Sequence, residues 1–302
     1  MAGQKLTQPE RELKGLRNRI EKLKPKEGSI PQVKGIDISW AGIPLYNIGG
    51  DHVVFLKFGG RFDLERRISE AKADGKQDVA EQLSLNYKRG GVYLIDVQGH
   101  DDADAIPAAE LHQAFVACSH YELKLYGQIT PEIFEVLNTR FYGTSGFDNK
   151  KSISGIYGEI NESGRFRFIS HGNCGLSVFS NEQDRIVSLP GFETTSPMGF
   201  KPSENHPDRA RYDAPVGFKE PYVVNELVLL MPGDILVLYT DGLSELKSQS
   251  QEDYFPGRLE QKLREVKGLG AKAICSAIKE EVLAFNEDRG DDITYVVIKK
   301  KN

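Results

Sequence analysis

The order in which strand-like and helix-like runs succeed one another limits the fold of this chain more than any other feature. GIDISWAG (35–42), HVVFLKF (52–58) and GVYLIDV (91–97) come first, β-branched and aromatic runs set apart by glycines. Helical patterns follow. Leu111, Phe115, Cys118 and Leu125 share one face of an amphipathic helix. Thr130-Pro131-Glu132 opens a second, with proline at its first position and an acid in its first turn. Strands return at ISGIYGEI (153–160), RFRFIS (165–170) and LSVFS (176–180), and Asn161-Glu162-Ser163-Gly164 is hairpin chemistry. NELVLL (225–230), a strand in GDILVLYTDG (233–242), a helix over 271–288 with Ile274, Ile278, Val282 and Phe285 inward, and ITYVVI (293–298) complete the chain. Blocks of strands and blocks of helices without βαβ alternation predict an α+β fold with mostly antiparallel sheets.

Three stretches stand outside this pattern. Leu13, Leu16, Ile20 and Leu23 recur at spacings of three, four and three, a short apolar stripe bounded by Pro9 and Pro25. Residues 1–30 therefore read as an N-terminal helical segment or linker ahead of one domain over 31–302. The stripe fits a helix packed on its own domain, a homodimer seam or a tether. Residues 59–90 are polar and helix-favouring with a break at Asp74-Gly75, either an inserted helical pair or a mobile excursion. Residues 201–221 scatter four prolines among charges and read as a long loop, a common form of functional flap.

The net charge of −5 implies no general affinity for nucleic acid or an anionic membrane. No apolar run reaches the roughly 18 residues of a membrane span, and the charged N-terminus has no signal-peptide core. Cys118, Cys174 and Cys275 have no CxxC spacing and read as buried free thiols. These features describe a cytoplasmic protein.

Four acidic sites recur at strand ends, each beside glycine: Gly49-Gly50-Asp51, Asp96 in DVQGHD, Asp241-Gly242, and Gly290-Asp291-Asp292. One Asp-Gly at a strand end is ordinarily a turn. Four that converge would repel one another and raise one another's pKa unless cations stood among them. Oxygen-only ligands completed by water suit Mg²⁺ or Mn²⁺ rather than zinc. Such an acidic cleft is a layout for in-line attack on a phosphoryl group.

The ordered set GGD…DVQGHD…GDILVLYTDGLSE…DDITYVVI resembles the PPM family of metal-dependent protein phosphatases (protein phosphatase 2C-like), in its bacterial SpoIIE-type branch. The likeness runs over residues 35–299, with GDILVLYTDGLSE its most specific segment. It implies a four-layer αββα sandwich of two mostly antiparallel sheets flanked by helices, with two Mn²⁺ or Mg²⁺ ions at one end. It also implies hydrolysis of phosphoserine or phosphothreonine by a metal-bridging water, without a phosphoenzyme. Matched by motif, Asp96 bridges both metals with the Val97 carbonyl beside it, Asp51 serves one metal, and Asp241 and Asp291 hold the other. Asp96 and Asp241 are then the catalytic pair, and Asp292 competes with Asp291 for the ligand position. The substrate implied is a phosphorylated regulatory protein, such as an anti-sigma-factor antagonist in a partner-switching circuit.

Departures from the family pattern keep a second reading open, a regulatory binding module with weak or lost catalysis. Asp101-Asp102-Ala103-Asp104 follows His100 where small residues are usual, and either caps the next helix or recruits a further cation. Ser170-His171-Gly172-Asn173-Cys174 transposes the family's glycine and histidine, leaving His171 as a phosphate contact or a structural turn residue. No Walker loop, Rossmann fingerprint, GxSxG or HExxH occurs, and Leu243 stands where an aspartyl-phosphate phosphatase needs a second acid.

Overall fold

A computed structural model of the protein describes residues 7–99, 103–144, 151–189, 191–227, 230–286 and 289–301. Its strands are β1 (Ile36–Ile43), β2 (His52–Leu56), β3 (Arg89–Val97), β4 (Ile153–Asn161), β5 (Phe166–His171) and β6 (Gly175–Ser180). There follow β7 (Arg185–Val187), β8 (Thr194–Thr195), β9 (Asn225–Leu227), β10 (Ile235–Tyr239) and β11 (Ile293–Lys300). They pair into two sheets. The first runs β1-β11-β10-β6-β7 and is antiparallel throughout. The second runs β2-β3-β4-β5-β8, with β9 also on β5, and only the short β5–β8 pairing is parallel.

The helices are α1 (Gln8–Glu21), α2 (Phe58–Arg61), α3 (Leu64–Ala73), α4 (Gln77–Leu85) and α5 (Ala105–Leu125). Four more follow: α6 (Pro131–Thr144), α7 (Asp241–Ser244), α8 (Gly257–Val266) and α9 (Ala271–Phe285). None of the described helices is long and apolar enough to cross a membrane.

The period-two alternation of the strands builds three cores from two sheets. Leu236 and Leu238 of β10 and Val296 and Ile298 of β11 face Val53, Phe55, Val92 and Leu94 between the sheets. Their neighbours Val237, Tyr295 and Val297 turn the other way, onto Leu259, Leu263, Ile274 and Ile278 of α8 and α9. On the far side Val54, Tyr93 and Ile95 meet Leu111, Phe115 and Phe134 of α5 and α6. Each such aliphatic side chain, fully buried, stabilises the fold by about 1.5–3 kcal/mol. The expected αββα sandwich is the observed one.

Several local expectations change. The run 52–58 stops as a strand at Leu56, because Phe58 turns into α2 and buries its ring in the outer core. Residues 59–90 form the helical pair: Asp63 accepts the Arg66 N–H to start α3, and Gly75 takes φ +73° between α3 and α4. Leu64, Ala71, Val79 and Leu83 fix the pair to the outer core. Leu125 is 53% exposed rather than on the buried face of α5, and Cys118 is only half-buried, whereas Cys174 and Cys275 are buried. The last long helix closes at Phe285, and residues 228, 229 and 288 lie outside the described residues.

Within the N-terminal stripe, Ile20 packs on Ile48 and Ala105 with Leu16 beside it, while Leu13 stays 40% exposed. The long loop is pinned from inside. Lys219, wholly buried, donates from Nζ to Thr195 Oγ1 at 2.8 Å and to the Ser196 carbonyl, and lies 4.5 Å from the Tyr222 ring.

Candidate active site

Strand register brings the four acidic sites to one end of the sandwich. His52 pairs with Ile95 across β2 and β3, so Asp51 and Asp96 oppose each other one step further on. In the other sheet Tyr239 pairs with Tyr295, and the next N–H, from Thr240, donates to the Thr294 carbonyl at 3.0 Å. That step delivers Asp241 as the first residue of α7, beside Asp291 and Asp292 at the start of β11. The Thr240 hydroxyl then donates to Asp51 Oδ2 at 2.9 Å, so the two sheets meet at this end.

The carboxylates crowd one another. Burial first, then the charges of Asp241 and Asp291, pushes the Asp96 carboxyl up to about 8. Burial, then Asp96 and Asp292, raises the Asp51 carboxyl well above its ordinary range, with Thr240 and Thr294 pulling the other way. Buried carboxylates that raise one another's pKa in this way are relieved by a cation among them, so the cluster stores a demand for positive charge.

Asp291 and Asp292 do different work. Asp292 is 3% exposed, and its carboxylate accepts the Leu45 N–H at 2.6 Å and the Gly50 N–H at 2.7 Å. It fastens the β1–β2 loop to β11. Asp291 accepts the Asp292 N–H at 2.7 Å and bears on Asp96.

The neighbouring glycines serve close approach of backbone to backbone. A Cβ on Gly242 would lie 2.0 Å from the Asp292 carbonyl oxygen, and one on Gly50 2.7 Å from the Val97 carbonyl oxygen. Val97 buries its side chain and keeps that carbonyl at the acidic end.

Among the described residues no three acidic, histidine or cysteine side chains close a metal cage by themselves. Asp51, Asp96, Asp241 and Asp291 are instead neighbouring oxygen donors with an excess of negative charge. That chemistry fits Mg²⁺ or Mn²⁺, hard cations that keep several waters and take few carboxylates.

Other residues of the region have structural roles. His171 is fully buried, and its Nδ1 donates to the Ile153 carbonyl at 2.9 Å while Nε2 takes the Tyr93 hydroxyl at 2.9 Å. Burial drops its pKa to about 3, so the ring is neutral and this tautomer follows. Asp104 stands at the N-cap of α5 but makes no side-chain cap bond; its buried carboxylate pairs with Lys151. His100, Asp101 and Asp102 lie outside the described residues.

Sequence reading missed two neighbours of the acidic end. His52 Nε2 and His112 Nδ1 meet at 2.7 Å beneath Asp51, joining β2 to α5. Cys174 is buried close enough to Asp96, Asp51 and Asp241 for their charges, after burial itself, to push its thiol well up. Neither contact has a sequence signal, since the partners lie far apart in the chain.

The fold is that of the PP2C-type phosphatase domains. The RsbU and RsbW domains of a Mycobacterium tuberculosis protein superpose with a TM-score of 0.62 at 18% identity, over 92% of this chain and 64% of that one. This chain thus spans less than two thirds of that relative. The SiaA-PP2C domain of Pseudomonas aeruginosa gives 0.60 at 15% identity over 96% of both chains. RsbX, solved in complex with magnesium, gives 0.53 at 14% identity over 89% of this chain and 98% of that one. No curated protein sequence matches the chain. Residues 87–301 match the model of the Stage II sporulation protein E (SpoIIE) family, and the chain belongs to that family.

Proposed function

We propose that this protein is a metal-dependent serine/threonine protein phosphatase whose acidic end holds two Mn²⁺ or Mg²⁺ ions. The convergence of Asp51, Asp96, Asp241 and Asp291 at one end of the sandwich, set by strand register and the Thr240–Asp51 bond, is the observation that carries this reading. Asp96 lies between Asp51 and Asp241 and is the carboxylate suited to serve both ions, with the Val97 carbonyl beside it. Asp51 serves one ion, oriented by the Thr240 hydroxyl. Asp241 and Asp291 hold the other. Asp292, already saturated by two backbone N–H groups, positions Asp51 by fixing Gly50. Bound there, divalent cations activate water and neutralise charge developing on the phosphoryl oxygens.

The substrate in this reading is phosphoserine or phosphothreonine on a regulatory protein, and an anti-sigma-factor antagonist fits. Membership of the SpoIIE family supports it, as does the likeness to a chain carrying RsbU and RsbW domains together. Release of phosphate from an aryl phosphate and from a phosphoserine peptide, with and without Mn²⁺, tests it. Turnover that requires metal is expected. Absence of turnover with Mn²⁺ and Mg²⁺ alike, alongside tight partner binding, would contradict it and leave a binding module.

A further inference from the structure

Away from the acidic end, α3 and α5 enclose a cleft of about 400 Å³ that shares no residue with the candidate active site. Its lining holds five Arg and Lys side chains against three Asp and Glu, in a chain whose overall charge is −5. Exposed charges usually gain little from one another, and a mixed surface would need no explanation. Here two of the acids are engaged with Arg66 of the same lining. Glu70 pairs with Arg66 at 2.7 Å, and Asp63 starts α3 by accepting the Arg66 N–H. Asp74 makes no ion pair among the described residues, and the charges of Glu70 and Asp63 still reach Arg67.

The other cations of the lining make no direct ion pair among the described residues. Arg67 is held by His120 and Phe62: it donates to the His120 carbonyl at 3.3 Å and to His120 Nδ1 at 2.8 Å, and stacks 5.4 Å from the Phe62 ring centroid. That fixes the guanidinium plane with no carboxylate in direct contact and leaves further N–H donors available. Arg61, Lys76 and Lys124 make no ion pair among the described residues, and burial alone pushes the Arg61 guanidinium down. The helical pair that forms one wall, α3 and α4, lies before residue 87, where the SpoIIE family match begins.

We propose that this cleft binds a small ligand through a phosphate group, with Arg67 as the fork that grips it and Lys124 and Arg61 as flanking charges. A volume of about 400 Å³ suits a small molecule and not a folded partner. The phosphate could come free or on a phosphorylated small molecule, and the probes below separate the two sources.

Calorimetric titration of the full chain with inorganic phosphate and with ADP tests this, at constant ionic strength with EDTA present. The chelator keeps metal-held phosphate at the acidic end out of the signal, and the readout is independent of turnover. Saturable binding of at least one probe is expected, weakened at least ten-fold by Arg67→Ala and clearly by Lys124→Ala, whose exposed side chain bears no structural contact. Phosphate binding alone identifies the free ion, and a marked preference for ADP identifies a phosphorylated small molecule. No saturable binding of either probe, binding of polyglutamate alone, or affinities unchanged in both variants would overturn the assignment.

Discussion

Thr240, at the end of β10, gives its hydroxyl hydrogen to Asp51 of the opposite sheet across 2.9 Å. The same oxygen accepts the Thr294 N–H at 3.0 Å, so one side chain locks β10 to β11 and both to the β2 edge. Among the described residues the two sheets share no strand pairing, and this contact, with the Asp292 bonds to Leu45 and Gly50, ties their acidic ends together.

Thr240→Val keeps the shape and deletes that hydroxyl. It leaves a buried carboxylate and a buried N–H without their partner, at a cost of about 1–3 kcal/mol. Urea unfolding should show this loss, together with weaker Mn²⁺ binding. A variant as stable as the parent would mean that Asp51 is oriented by other contacts.

Gly242→Ala places a methyl group 2.0 Å from the Asp292 carbonyl oxygen, where only backbone can move aside. The ends of β10 and β11 must part, which should lower stability by about 1–3 kcal/mol and shift Asp241 and Asp291 from Asp96. Thermal unfolding with and without Mn²⁺ checks both effects. An unchanged metal-induced rise in melting temperature would show that the acidic end tolerates the displacement.

How much of this was legible beforehand depended on whether a signal was local. The β-rich runs and the glycine-flanked acids at their ends each sit within a few residues, so the layers and the candidate ligands could be read directly. Pairing was not local: β1 joins β11 across nearly the whole chain, and β8 has two residues and no apolar pattern. Asp291 and Asp292 could not be told apart, because adjacent acids differ only in the direction the backbone gives them. Asp292 is taken by the Leu45 and Gly50 N–H groups, which no spacing rule reveals. The His52–His112 contact and the burial of Lys219 are likewise products of packing.

His171 supplies a pH test. Its folded pKa is near 3 against about 6.5 unfolded, so the unfolded chain binds a proton that the folded one refuses. Its stabilising share is full above about pH 6.5 and falls with acid, by up to about 1.4 kcal/mol per pH unit, until the folded ring itself protonates. The stability gap between the parent and His171→Gln should therefore be widest at pH 7–8 and narrow towards pH 4. A gap that stays constant or grows with acid would contradict the neutral, doubly bonded ring.

Lys219 is the inner anchor of the long loop. Lys219→Met preserves length but removes the bonds to Thr195 and Ser196. Amide hydrogen exchange over 195–222 should accelerate about ten-fold, the equivalent of two modest hydrogen bonds, with β10 and β11 unaffected. Equal protection in both proteins would assign the loop's order to its backbone contacts alone.

The central claim is that Asp241 closes its strand in order to hold a cation. Asp241→Asn keeps shape and volume and removes one negative charge from a crowded cluster, so stability without metal should hold or rise. The rise in melting temperature on adding Mn²⁺ should shrink, and metal-dependent phosphate release should fall by orders of magnitude, each decade being about 1.4 kcal/mol of barrier. Melting temperature with and without Mn²⁺, measured alongside turnover on the same preparation, decides it. A variant that keeps both its metal-induced stabilisation and its rate would show that Asp241 only shapes a turn.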